Sequence, residues 1–477
     1  MMSSFSPSIA KENPSASTET SFWKHFAKNH WEQKELVTDN PALAGPMSEE
    51  ELFRIVSRLP ESPFRGPFVR PWYLVLRLIN KIFLRSSERI EPRVLLHFVI
   101  ESRWKIVRRF RIKFGLFVSR KRLPRPEDGS FLGYHERISR ELNPSWRRFL
   151  GLQRRRYCLK VYHPEMASFK MWEATSKKIT TKLYKQVGMS NGGYYYEFFI
   201  GDYSRSPIGV HRDDESLFHF PVVGTKAVRL WSPEFVQQHP DIKGCLNYKS
   251  YKDGSILVKA GPGQTIYWPS KYWHIGEAEA EGQFSVSLAL GLVVRSEPKL
   301  VTQNTTQLRF PLREFDPKTV PFDPDNLQRS VETIPLGVLR PTDGRAGWKM
   351  DTPTAAWLRA VTSIGALFPP TPDHSIVISD EDIVCGHPYC PVVSVPCTDH
   401  QLLIGVAGHV FSAPNTYDVR GLIAFANSRS TDRVSSLVGR FSEDLSDEDV
   451  RNLLRELVQC RGLVRLPEPK SPRQLYS

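Results

Sequence analysis

The 477-residue sequence lacks the features that mark membrane-embedded and disulfide-built proteins. No run of about 18 uninterrupted apolar residues occurs, so no transmembrane helix is expected. Six cysteines in a chain of this length are too few for a disulfide framework. They fit a reducing cytoplasm. The first 20 residues are rich in Ser and Pro and carry no apolar core, which excludes a secretory signal and predicts a disordered tail. No internal repeat is visible, so solenoid and propeller architectures are set aside. Acidic residues are scarce in one place above all. Between 70 and 125 there are sixteen Lys and Arg against Glu88, Glu91 and Glu101, so nearly all of the net charge of +14 sits there.

What is present is an ordinary globular composition, 40% hydrophobic and 24% charged, with chain enough for several domains. The basic stretch 70–125 interleaves apolar residues, among them Trp72, Leu74, Ile82, Phe83, Leu95, Phe98 and Ile100. That pattern predicts basic amphipathic helices, either a platform for a polyanion or membrane surface or a helical subdomain with a solvated face. Ser48-Glu49-Glu50-Glu51 reads as a helix start. From 194 to 294, short apolar or alternating runs are separated by Gly, Pro and Asp turns, the pattern of an antiparallel β domain. Beyond 376 a separate α+β module is expected, with a capped helix over Ser446–Cys460, a stop at Gly462 and a short strand after it.

The chemistry concentrates at Gly209 to Gly291. His211 and Asp213 are two residues apart, which on a strand places both side chains on one face. His274 follows 63 residues later, just after the strand-like run Gln264–Trp268. Two imidazoles and one carboxylate are the ligand set for Fe(II) with open coordination positions. The bland alternative is three unrelated polar residues on a β domain. Asp214 and His219 are neighbouring alternatives. Asp214 points to the opposite strand face from Asp213, whereas His219, eight residues after His211, can share its face. Cys385, His387, Cys390 and Cys397 form a weak zinc pattern, irregular and interrupted by proline.

This region resembles the JmjC-related, cupin-fold Fe(II)/2-oxoglutarate oxygenases, in particular the ribosomal-oxygenase branch that hydroxylates protein side chains. The resemblance rests on His211-x-Asp213, on Gly224-Thr225-Lys226 with Arg229-Leu230-Trp231, on Gly261 to Pro269, and on His274 to Ala278 with Phe284 to Leu288. Phe22 to Phe26 and Leu36-Val37 resemble the branch's opening. The motif-bearing part covers under a fifth of the chain.

The resemblance implies an α+β architecture with a double-stranded β-helix (cupin or jelly-roll) barrel, flanking helices and a C-terminal winged-helix-like module. The expected division is a tail at 1–20, an N-terminal helical region at 21–155 holding the basic insert 70–125, a catalytic barrel at 156–295, a connector at 296–375 and the last module at 376–470. It implies a dioxygenase acting as a hydroxylase, with Fe(II) on His211, Asp213 and His274 and 2-oxoglutarate as co-substrate. Lys226 is the expected partner of the distal carboxylate of 2-oxoglutarate, Arg229 the fallback, and Ser285 and Ser287 further contacts. A Lys at a strand edge is the bland reading of Lys226. Here the strand before the metal motif, Tyr194 to Phe199, is rich in aromatics where the branch often has polar contacts. The expected partners are a protein or peptide substrate, a polyanion (RNA, ribosome or acidic peptide) at the insert, and a second copy in a homodimer. Two other functions remain open: a cupin metalloenzyme that does not use 2-oxoglutarate, and an inactive cupin serving as a binding module.

Overall fold

A computed structural model describes residues 19–59, 95–100, 120–206, 208–278, 282–294, 299–301, 307–309, 319–332, 340–341 and 352–466. The expected tail and most of the basic insert therefore lie outside the described residues.

The chain forms a mixed α/β structure with several antiparallel sheets. Ten strands build the part that carries the site: β1 (Leu36–Thr38), β2 (Leu95–Ile100), β3 (Tyr157–Tyr162), β4 (Tyr194–Gly201), β5 (Glu215–Val223), β6 (Lys226–Trp231), β7 (Ile256–Ala260), β8 (Thr265–Trp268), β9 (Trp273–Glu277) and β10 (Ser285–Val293). Seven of them pair in the order β1-β8-β5-β10-β4-β3-β2, and the other three pair as β9-β6-β7. Leu217, Ile266 and Trp268 of the large sheet pack against Val228, Leu230, Val258 and Ala260 of the small one. The two sheets thus face each other, and alternation along each strand decides what enters the space between them.

Helices cover the outer face of the large sheet. In α1 (Glu19–Asn29), Phe22, Trp23 and Phe26 are buried, and the Phe26 ring meets Tyr267 of β8 edge-on at 4.8 Å. α2 (Glu49–Ser57) begins with the capping box read from the sequence, Ser48 and Glu51 each accepting from the other's backbone N–H. α3 (Phe131–Leu142) buries Phe131, Tyr134, Ile138 and Leu142 and leads into the short α4 (Ser145–Phe149). Residues 169–187 run as α5 (Phe169–Thr175), a π turn and α6 (Thr181–Val187). The apolar side of β3, β4 and β10, including Leu159, Phe198, Ile200, Leu288 and Leu290, fills the core beneath these helices.

Two expectations need correction. Leu95–Ile100 is a strand rather than part of a helix, and it pairs with β3 from Leu95↔Tyr162 to Ile100↔Tyr157. Five of these six residues are apolar, broken only by His97, a pattern that fits a strand as well as a helix turn, and the pairing with β3 decides the matter. Two of the seven strands of the large sheet, β1 and β2, come from the N-terminal region.

Beyond α7 (Thr352–Thr362) the C-terminal segment combines two three-stranded sheets with the helices α8 (Tyr417–Ser428), α9 (Val434–Arg440) and α10 (Asp447–Gln459). The Ser446 hydroxyl caps α10 by accepting from Asp449 N–H, as its sequence position predicts.

Candidate metal and co-substrate site

His211 does not sit within a regular strand. It lies in the segment between β4 and β5, tied to β9 by two backbone hydrogen bonds: His211 N–H to the His274 carbonyl at 3.0 Å, and His274 N–H to the His211 carbonyl at 2.7 Å. This bridge, rather than strand alternation, sets the two imidazole rings 4.3 Å apart between centroids. Asp213 then turns its Oδ2 toward both, 3.6 Å from His211 Nε2 and 3.4 Å from His274 Nε2. Ligand atoms of the three residues lie within 4.8 Å of one another, and they are the only such group among the described residues. His211 Nδ1 lies 2.9 Å from the Gly209 carbonyl. A carbonyl only accepts, so the proton is on Nδ1 and the Nε2 lone pair is free for a cation.

The electrostatics suit a cation. Burial, then His274 beside it, pulls the His211 pKa down to about 4, so the ring is neutral near pH 7. Burial opposes the charge of Asp213, but the hydrogen bond from His274 and the nearby His274, His211 and Lys160 outweigh it and hold the carboxyl well below its ordinary range. The donor set is two imidazoles and one carboxylate, which fits Fe(II). Asp214 is exposed and stands apart from this group.

Lys226 opens β6. His274 pairs with Leu230 and Gly276 with Val228 across β9 and β6, so His274, Leu230, Val228 and Lys226 share the face turned to the large sheet. Lys226 is 5% exposed. Its Nζ donates to Tyr203 Oη at 3.0 Å and lies 5.0 Å from the Phe199 ring centroid. Among the described residues no carboxylate pairs with it, and burial pulls its pKa down to about 8. Gly276 stands directly beneath, where a Cβ would come within 3.3 Å of Nζ.

Arg229 is corrected. Three residues on from Lys226, it lies on the opposite face, opposite Ile275. Its guanidinium holds Glu277 through Nε–Oε1 at 2.8 Å and Nη2–Oε2 at 3.3 Å, and Nη1 donates to Ser255 Oγ at 2.9 Å. It is committed to that buried pair and does not serve as the fallback cation.

Further groups line the space between the sheets. Ser287 pairs with Phe199, so it shares the inner face, and its Oγ is buried without a hydrogen-bond partner. Ser285 has the same parity at the half-buried end of β10. His219 also faces inward, stacked on Trp268 at 5.0 Å between centroids, with Nδ1 unpartnered. It stands outside the metal group, so it is not the alternative ligand its spacing from His211 allowed. Lys160, which sequence reasoning passed over, is the second cation on the inner face. Unlike Lys226 it has a carboxylate, Glu197 Oε2, at 2.7 Å. That gives Glu197 the role the sequence left open, while Tyr196 points to the outer core and meets Thr175 Oγ1 at 2.9 Å. Glu215, pushed up to about 7 by burial and then by Asp213, interacts with Tyr195. Orphaned buried polar atoms at Ser287 and His219, beside a buried ammonium lacking a counter-anion, mark a place for a polar ligand.

Cys385, His387 and Cys390 do not gather into a metal-ligand cluster. Cys390 is buried, and the His387 ring packs edge-on against Phe169.

No protein-family profile matches the chain, and no curated protein sequence matches it. Among solved structures, the chain is similar to Escherichia coli YcfD, at a TM-score of 0.40 and 13% identity over 93% of this chain and 98% of that one. A structure of YcfD described as a ribosomal oxygenase, in complex with cobalt and 2-oxoglutarate, aligns at a TM-score of 0.36 with 11% identity, and one with cobalt and succinic acid at 0.35 with 11%. Both cover the same shares of the two chains. The likeness is loose.

Proposed function

We propose that this chain is an Fe(II)- and 2-oxoglutarate-dependent oxygenase that hydroxylates a protein or peptide side chain. One observation carries the choice among metal-binding β proteins. Lys226 is buried, faces the same inner space as His274, and has no carboxylate partner among the described residues. A buried ammonium is costly unless an anion meets it. A dicarboxylate that ligates the metal at one end and reaches Lys226 at the other explains both. A cupin oxidase or isomerase that does not use 2-oxoglutarate has no need of that cation, and an inactive binding module has no need of the three convergent ligands.

In this reading His211, Asp213 and His274 hold Fe(II), and its lone-pair donors are set by the Gly209 carbonyl and by the bridge between the histidines. Lys226, with Tyr203 fixing its ammonium, holds the distal carboxylate, and Ser287 Oγ supplies a further donor. When bound, the iron and the co-substrate together supply the oxidising chemistry that converts an unactivated C–H to C–OH. The apolar walls at Leu230, Ile266 and Trp268 keep bulk water from that end of the space. The C-terminal segment, with its helices and short strands, is read as a winged-helix-like module that helps hold a large substrate.

The test is succinate formation from 2-oxoglutarate under air with Fe(II), with and without candidate peptides. Wild-type protein is expected to form succinate, and His211→Ala to form none while keeping its fold. Metal binding without any succinate would leave only a metal-binding β protein.

A further inference from the structure

Four of the large apolar side chains exposed among the described residues fall within seven positions. Trp146 is 55% exposed, Phe149 90%, Leu150 59% and Leu152 45%. They sit on α4 and the turn that follows it. Exposed apolar residues scattered singly need no explanation, but a contiguous group does.

This turn is built rather than frayed. Leu150 N–H donates to the Trp146 carbonyl at 3.0 Å, Gly151 N–H to Arg148 at 3.0 Å and Leu152 N–H to Arg147 at 2.9 Å. Gly151 takes the left-handed conformation that lets the chain double back. Arg147 closes the loop on the Gln153 carbonyl at 3.1 Å. At its base, Asn143 and Arg155 exchange two hydrogen bonds, at 3.0 and 2.6 Å, and Arg154 pairs with the buried Asp202. The apolar knob is therefore held out from the body by polar contacts at its root.

Its surroundings carry one sign of charge. From 140 to 156 there are six arginines, and the only acid is Glu141. Arg140, Arg148 and Arg154 are exposed. Exposed apolar side chains on a hydrogen-bonded turn, flanked in the chain by arginines, form the pattern of a segment that seats at an anionic lipid interface. The aromatic and aliphatic tips enter the acyl boundary, and the guanidiniums stay with the headgroups. Single-stranded nucleic acid fits less well, because bases stack on aromatic faces and two of the four exposed residues are leucines.

We infer that the α4 knob, Trp146 to Leu152 with its flanking arginines, is a docking surface for an anionic bilayer. It is independent of the metal site, so it stands or falls separately from the proposed activity.

The experiment is co-sedimentation of the full chain with vesicles of phosphatidylcholine alone and of phosphatidylcholine mixed with phosphatidylglycerol. Binding is expected to the anionic vesicles only, and to fall with salt. Phe149→Ser, at the most exposed position, is expected to weaken binding about tenfold or more, with the thermal unfolding curve unchanged. Arg148→Glu is expected to weaken it severalfold. The inference is overturned if Phe149→Ser binds anionic vesicles as tightly as the wild type, since another surface would then carry the binding. It is also overturned if the wild type binds neither vesicle. In that case, poly-uridine binding lost in Phe149→Ser would reassign the knob to RNA. A dimer in solution that dissociates in the same variant would reassign it to self-association.

Discussion

At the scale of single residues, Lys226 is the group whose energetics speak most clearly. Burial lowers its pKa in the folded state to about 8, from the ordinary lysine value of 10.5. Below about pH 8 both folded and unfolded states hold the proton, so the burial penalty is fully present. Between about 8 and 10.5 the folded state loses its proton first, and the penalty fades as pH rises. At ~1.4 kcal/mol per pKa unit the charge costs the ligand-free fold roughly 3 kcal/mol at neutral pH. Lys226→Met is therefore expected to raise the unfolding free energy of the ligand-free protein at pH 7 by a few kcal/mol, an advantage that shrinks toward pH 10. Denaturant titration of both proteins across that range checks it. The same shift governs the co-substrate. A bound carboxylate favours the ammonium, so 2-oxoglutarate affinity should be flat below about pH 8 and fall about tenfold per pH unit above it. Calorimetric titrations at several pH values read this directly.

Individual side chains were also the most legible part of the sequence. His211, Asp213 and His274 were identifiable because two imidazoles and a carboxylate have few other uses together. Lys226 and Arg229 were both nominated, yet residues three apart on a regular strand face opposite sides, and that parity alone favours one over the other. Lys160 with Glu197 was not legible. Their pairing depends on the register of β3 against β4, which no local pattern states. The parity argument for His211 and Asp213 does not describe how they meet, since the bridge between His211 and His274, not a strand, brings the group together.

At the scale of elements, β6 separates two tasks by alternation. Its inner side offers Lys226; its outer side offers Arg229 to Glu277, and both members are nearly buried, at 8% exposure for Arg229. Removing one partner of such a pair costs roughly 3–5 kcal/mol. Arg229→Met is expected to lower stability by about that amount in chemical denaturation while leaving 2-oxoglutarate affinity at the permissive temperature unchanged. A matching loss of co-substrate affinity would contradict the assignment of faces. α1 is the other decisive element. Phe26 is fully buried and meets Tyr267 and Phe218 at 4.8 and 5.6 Å between centroids, and Tyr267 Oη accepts from Glu32 N–H at 2.9 Å. Phe26→Ala is expected to cost roughly 3–5 kcal/mol, read as a fall in the unfolding midpoint. The aromatic spacing of 22, 23 and 26 showed the helix; where it would dock was not readable. Leu95–Ile100 misled because five apolar residues broken only by His97 carry no clear period, and only the pairing with β3 makes them a strand.

At the scale of the whole molecule, the segment before β5 and the facing strands β9 and β6 bring the candidate ligands His211, Asp213 and His274 and the buried Lys226 to the space between the two sheets, whose walls are apolar at Leu230, Ile266 and Trp268 and polar at Lys160, Glu197, His219 and Ser287. No helix among the described residues is long and apolar enough to cross a membrane. The antiparallel β character of 194–294 and the capped C-terminal helix were visible in the sequence, because turns and caps have local signatures. The joining of β1 and β2 to the large sheet was not, since Leu36 pairs with Tyr267 and Leu95 with Tyr162, both far along the chain. The most direct measurement is anaerobic calorimetric titration of 2-oxoglutarate into the Fe(II)-loaded protein, wild type beside Lys226→Ala. The account predicts one site per chain in the wild type, no binding when Fe(II) is withheld, and an affinity weakened by roughly two to three orders of magnitude in the variant, with Fe(II) affinity nearly unchanged. Equal 2-oxoglutarate affinity in the two proteins would contradict it.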